Sequence, residues 1–381
     1  MQRSVILPLS VKTPVWYNVN NANERVLLMA KVRAFLKRKD IEISWKRYGI
    51  DALGAMAQGL FASLLVGTIL STLGQQLHIE VLQTIGGFGN SVSGCAMAIA
   101  IGYALKCPPL VLFSLAAVGY SANALGGAGG PLSVLVIAII AAELGKVVSK
   151  ETKLDILVTP CVTILVGCGL SMLIAPAIGA AASALGEVIR WATTQQPFWM
   201  GILISVLVGV ALTLPISSAA ICASLSLTGL AGGAAVAGCC AQMVGFAVMS
   251  WKENGVGGLV SQGIGTSMLQ MGNILKNPRI WIPPIIASAI TGPIATCVFG
   301  LEMNGAAISS GMGTCGLVGQ IGVYTGWVSD VANGVKASIT VFDWAGLLLI
   351  SFVLPALLCW AIGKLFRKAG WIKDGDLKLN G

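Results

Sequence analysis

Nine long apolar stretches follow one another along this chain, and no other feature constrains its fold as strongly. They lie at 50–73, 81–105, 108–125, 130–149, 156–178, 198–222, 225–250, 280–300 and 344–363. A helix needs about 20 such residues to cross the hydrocarbon core of a bilayer. Only 10% of the residues are charged and 56% are hydrophobic, whereas soluble domains carry about 25% charged residues. A globular body of this length would lack the polar side chains to cover its surface. The chain is therefore expected to be an all-α, polytopic integral membrane protein. A soluble enzyme, a disulfide scaffold, a disordered chain and a nucleic-acid binder are excluded.

The net charge of +9 resides in the two tails. Residues 1–50 hold ten Lys and Arg against Glu24, Asp40 and Glu42, and residues 361–381 hold five against Asp374 and Asp376. Basic flanks beside apolar segments stay in the cytoplasm, so both termini are expected there. That requires an even number of crossings. Nine windows then ask for one more crossing or one fewer, and about ten transmembrane helices are expected. No cleavable signal peptide is expected, because the first 50 residues lack the short apolar core one needs. The mixed apolar and basic run 24–48 reads instead as a helix in the cytoplasmic interface. Three regions result: a basic N-terminal segment 1–48, a transmembrane domain 49–365 and a basic tail 366–381.

Two long stretches are uncharged or nearly so, yet poor helices. Residues 253–276 and 304–327 carry six and seven glycines together with Ser, Thr, Gln and Asn. Such backbone is tolerated at membrane depth only where it lines a cavity or is covered by protein, so two re-entrant Gly-rich hairpins are expected. They share a short similarity, Gly258-Leu-Val-Ser-Gln262 and Gly316-Leu-Val-Gly-Gln320. Paired interrupted segments of this kind meet at the substrate site of many transporters.

Glu253 and Asn254 open the first stretch, with Gln262, Thr266, Gln270 and Asn273 downstream. Asn304 opens the second, which contains Gln320. Carboxylate and amide groups in this density suit a carbohydrate or other small polar solute. Candidate substrate-binding residues are Glu253, Asn254, Gln262, Thr266, Asn277, Asn304 and Gln320. The ten cysteines stand in apolar surroundings without a C-x-x-C pair and read as packing residues. His78 is the single histidine. No metal site, no cofactor, no catalytic triad and no ATP-binding loop is expected.

The run Lys276-Asn277-Pro278-Arg279-Ile280-Trp281-Ile282-Pro283 resembles the N-P-x-x-x-x-P segment of the membrane, or enzyme IIC, components of the bacterial sugar phosphotransferase system. Glu253-Asn254-Gly255 stands roughly where that family places a sugar-binding glutamate. Arg47-Tyr-Gly-Ile-Asp51, Gly119-Tyr-Ser-Ala-Asn123, Pro215-Ile-Ser-Ser218 and Gly319-Gln320 extend the likeness to a branch that includes membrane regulators of toxin production. The resemblance implies a homodimeric sugar permease of the inner membrane, with a separate cytoplasmic IIB protein that phosphorylates the sugar. Three departures stand out: no histidine is expected at membrane depth, the Glu253-to-Asn277 interval of 24 residues is longer than in the family's better-studied members, and no fused soluble domain is expected. A secondary transporter or channel without phosphorylation, or a membrane sensor, stays open as an alternative.

Overall fold

The computed structural model describes residues 22–379, with side chains from residue 29 onward. Helix α1 (Ala22–Arg38) belongs to a unit of its own that ends at Glu42. Its Met29 and Val32 are exposed. The N-terminal half of residues 1–48 therefore lies largely outside the described residues.

The second unit starts at Ile43. It is built from α2 (Lys46–Gln76), the bent pair α3 (Glu80–Ser91) and α4 (Ser93–Ala104), α5 (Pro109–Gly126), α6 (Gly130–Val148) and α7 (Asp155–Thr193). There follow α8 (Pro197–Thr213), α9 (Ser218–Ser224), α10 (Gly229–Met249), α11 (Trp251–Val260), α12 (Met271–Lys276), α13 (Pro278–Val298), α14 (Val318–Ala332) and α15 (Val341–Lys368). Six helical runs are long and apolar enough to cross a membrane among the described residues, or seven with the α3–α4 pair counted as one. One of the six, Pro109–Val148, folds back on itself. Gly145 on its returning arm, α6, lies beside Val111 on α5, so the run is an antiparallel hairpin.

Proline sets several of these boundaries. Pro109 and Pro197 occupy first-turn positions of α5 and α8, where the missing N–H costs nothing. Pro215 forces Leu214 into an extended conformation and stops α8 at Thr213. The window 198–222 is consequently not one spanning helix. After the break, α9 leads back toward Gly229, whose N–H and C=O pair with Met303.

Helix α10 forms the axis of the unit. Almost its whole apolar window is buried, whereas most of the window in α7 faces outward. A helix buried on every side needs neighbours that approach closely, and small residues allow that. Gly238 touches the backbone of Ser205 on α8, and Gly245 touches Cys359 on α15.

The unit has two chemically distinct ends. Of the lysines and arginines from residue 43 onward, only Arg190 and Lys336 lie at the far end. At the basic end, Arg47 and Lys146 both donate to the carbonyl of Leu105, at 2.7 and 3.1 Å. Lys146 is 1% exposed and pairs with Glu143 at 2.9 Å, and Tyr48 donates to the same carboxylate at 3.0 Å. The carbonyls at a helix C-terminus lack internal partners and carry partial negative charge, so two cations on the Leu105 carbonyl at the end of α4 tie α2, α4 and α6 together. Ile50 and Leu379 line one cavity, which puts the start and the end of the described unit at this same end.

Candidate functional site

Both Gly-rich stretches leave and rejoin the end from which they came. The first descends from Trp251 through α11, a π-helical turn at Ser261–Gly265 and a 3-10 turn at Ser267–Gln270, and returns through α12 to Lys276. The second descends from Met303 through 3-10 turns at Ala307–Gly311 and Cys315–Leu317, then rises as α14. Asn304 closes its mouth: the side-chain amide donates to Asp330 at 2.8 Å and to Glu302 at 3.0 Å, and its oxygen accepts from Gly229 N–H at 3.1 Å. The tips, around Gly265 and Gly316, meet inside the unit beside α2.

The irregular backbone of the second tip has a specific cause. Gly313 has φ +54° and sits where a Cβ would lie 2.5 Å from Cys239 on α10. Only glycine combines the left-handed conformation with that close approach.

Where the tips meet α2, α9 and the α5–α6 turn, two adjoining cavities of about 300 and about 440 Å³ open. They share Leu64, Asn90, Ser217, Ala219 and Met312. The smaller is also lined by Ser93, Asn123 and Thr266, the larger by Thr68, Gln75, Gln76, Ser309 and Thr325. Gln75 and Gln76 end α2, so the larger cavity runs toward the far end of the unit. Among the described residues, no Asp, Glu, Lys, Arg or His lines either cavity. The polar side chains of the lining are hydroxyls and amides, each able to donate and accept.

Local capping fixes several of these groups. Thr266 accepts from Met268 N–H at 3.1 Å and Ser217 from Ala220 N–H at 3.1 Å, as N-caps of the turns that follow them. Thr68 donates to the Asn90 side-chain oxygen at 3.4 Å.

Of the seven candidate residues, Thr266 lines the cavity. The other six lie where they build the hairpins. Gln262 is fully buried; its amide donates to Ser250 at 2.8 Å and its oxygen accepts from Gln270 at 2.8 Å, zipping the two arms of the first hairpin. Gln320 donates to Ser351 at 2.9 Å and to Cys240 at 3.3 Å on the side of α14 facing α10 and α15. Asn254 and Asn277 bind the chain's own tail: Asn254 donates to the Leu377 carbonyl at 2.8 Å, and Asn277 donates to Trp371 at 3.0 Å and to Asp376 at 2.8 Å. Asn90, Thr68 and Ser217 sit inside apolar windows and Ser309 inside the second Gly-rich stretch, and no spacing links the four along the sequence. Asn123 and Ser218 stood only among the residues of the family likeness.

Glu253 pairs with Arg367 at 2.6 Å, and its side chain is 8% exposed. Arg367 also donates to Asp374 at 3.1 Å and to the Met249 carbonyl at 3.2 Å. Glu253→Gln is therefore expected to lower stability by about 1–3 kcal/mol, the cost of weakening a buried charge-assisted hydrogen bond, read from thermal unfolding in detergent. Unchanged melting together with tenfold weaker sugar binding would make Glu253 a substrate contact instead.

The family model described as "Phosphotransferase system, EIIC" matches residues 50–379. The chain belongs to that family. Neither the curated proteins nor the solved structures compared contain a match. An EIIC protein of this composition is a multi-pass protein of the bacterial inner membrane with a permease-type role in the phosphotransferase system. The likeness read from Asn277 to Pro283 and its flanks falls within the matched residues.

Proposed function

We propose that this EIIC protein binds an uncharged carbohydrate or polyol in the cavity between its two hairpin tips and carries it across the inner membrane. The observation that carries this reading is the lining itself: a space of several hundred cubic ångströms with hydroxyls and amides on its walls and no ionisable side chain. Ligand sites of about 300–1,000 Å³ with a few convergent polar groups are the usual form of a small-molecule site. A charged substrate would need a counter-charge there, because an unpaired charge is costly away from water. Asn90, Ser217, Thr266 and Ser309 are the proposed hydrogen-bonding partners. Glu253, Asn254, Gln262, Asn277, Asn304 and Gln320 are proposed to act through the position of the hairpins.

The basic end is proposed to face the cytoplasm, following the excess of Lys and Arg there. A separate IIB protein would then reach the sugar from that end and phosphorylate it, and two copies of the chain would form the permease dimer. The larger cavity extends toward the opposite end, as an outward-loading state requires.

A thermal-shift panel on the purified protein tests the substrate class. Neutral hexoses, pentoses and hexitols are expected to raise the melting temperature, whereas sugar phosphates, amino acids and sodium chloride are expected to leave it unchanged. Stabilisation by a charged solute alone would overturn the reading. Coupling is tested separately in vesicles, where phosphorylated sugar should accumulate only with a IIB protein and phosphoenolpyruvate present. Uptake indifferent to both would favour a secondary transporter on the same fold.

A further inference from the structure

Two apolar side chains beyond α15 are buried. Ile372 is 2% exposed and Leu377 fully buried, and both belong to the main apolar core. Between and beside these anchors the tail backbone is held by amide side chains of the first hairpin. Asn254 and Gln270 both donate to the Leu377 carbonyl, at 2.8 and 2.9 Å. Asn273 donates to the Lys378 carbonyl at 2.9 Å, and the Leu379 N–H donates back to Asn254 at 2.8 Å. The pattern recognises a peptide backbone, with two apolar side chains setting its register. This is the chemistry of an extended-peptide site.

We propose that the first hairpin carries a peptide-binding groove, filled in cis by residues 372–379, and that its occupancy holds the hairpin seated. The connection to the hairpin interior is continuous. Gln270, which grips the Leu377 carbonyl, also donates to Gln262, and Gln262 in turn donates to Ser250 at the start of the hairpin. Beside the returning arm a cavity of about 250 Å³ opens, lined by Gly272 and Asn273, by Gly54 and Gln58 of α2 and by Leu379 of the tail, while Gly272 still meets Ile50. The tail therefore braces an arm that α2 leaves partly unsupported. The arm leads directly from Thr266, so the state of the groove is transmitted to the cavity wall. None of this depends on what the cavity binds.

Hydrogen exchange resolved to segments tests the proposal without a transport assay. In a chain ending at Trp371, amides of residues 262–276 are expected to exchange at least about tenfold faster than in the full chain, with the α5–α6 hairpin unchanged. A synthetic peptide of residues 372–379, added at about 10 mM to exceed the millimolar effective concentration of a short tether, is expected to restore protection. The same peptide with Leu377→Asp is expected not to. Should the shortened chain fail to fold, Asn254→Ala with Asn273→Ala in the full chain is expected to raise exchange in 262–276 selectively. Unchanged exchange in 262–276 in that double variant, or no restoration by the peptide in a folded shortened chain, would overturn the proposal.

Discussion

Gly238→Val is expected to cost about 3 kcal/mol or more and to remove most folded protein from the membrane fraction. A Cβ at position 238 would overlap the carbonyl oxygen of Ser205, and the neighbouring Cα as well. These are backbone atoms of α8, which cannot rotate out of the way as a side-chain terminus can. Overpacking of a tight core typically costs about 1–3 kcal/mol, and here relief requires α8 to move off α10. That movement would also disturb the Ser205 hydroxyl, which donates to the Ser288 carbonyl of α13 at 2.7 Å. Gly54→Ala is the matching control, because its added methyl meets no atom within 4 Å and alanine favours a helix over glycine by about 1 kcal/mol. Size-exclusion yield and thermal unfolding of the two variants check both statements. Equal yields would show that the α8–α10 crossing tolerates separation.

Asn90→Leu is expected to weaken binding of the stabilising sugar or polyol by about tenfold to a hundredfold while leaving the melting temperature of the unliganded protein within a few degrees. Asn90 lies in the wall shared by the two cavities. Leucine has similar volume but removes both donor and acceptor, so bound hydroxyl groups would lose partners and stay desolvated. An unsatisfied buried polar group costs about 1–3 kcal/mol, which is the stated range of affinity. Thr68→Ala should have a smaller effect in the same direction, because Thr68 donates to the Asn90 oxygen and so fixes its orientation. Titration calorimetry on the two variants and the parent distinguishes them. Affinity unchanged in Asn90→Leu would place the ligand elsewhere.

The hairpins illustrate how far local pattern reaches. Glycine at short intervals among Ser, Thr, Gln and Asn is incompatible with a lipid-facing helix, and both stretches are broken by irregular turns, at 261–270 and 307–317, and return to their own end. Their polar side chains were legible as groups that need partners. Which partners was not legible, since Asn254 and Leu377 lie 123 residues apart and Asn304 and Asp330 meet only once the second hairpin closes. The window 198–222 shows the opposite limit: the apolar run continues through Pro215, and the helix stops there.

The sequence by itself determined the solvent, the helical class and the presence of two segments that cannot face lipid. Those properties follow from composition, charge placement and backbone propensity, all of which act within a few residues. Only the tertiary structure decided that the tips meet beside Asn90 and Ser217, that the cavity is uncharged, and that the tail is gripped by the first hairpin. Each of these depends on close approach between segments far apart in the chain, and that approach is set by where glycines such as Gly238 and Gly313 let backbones touch.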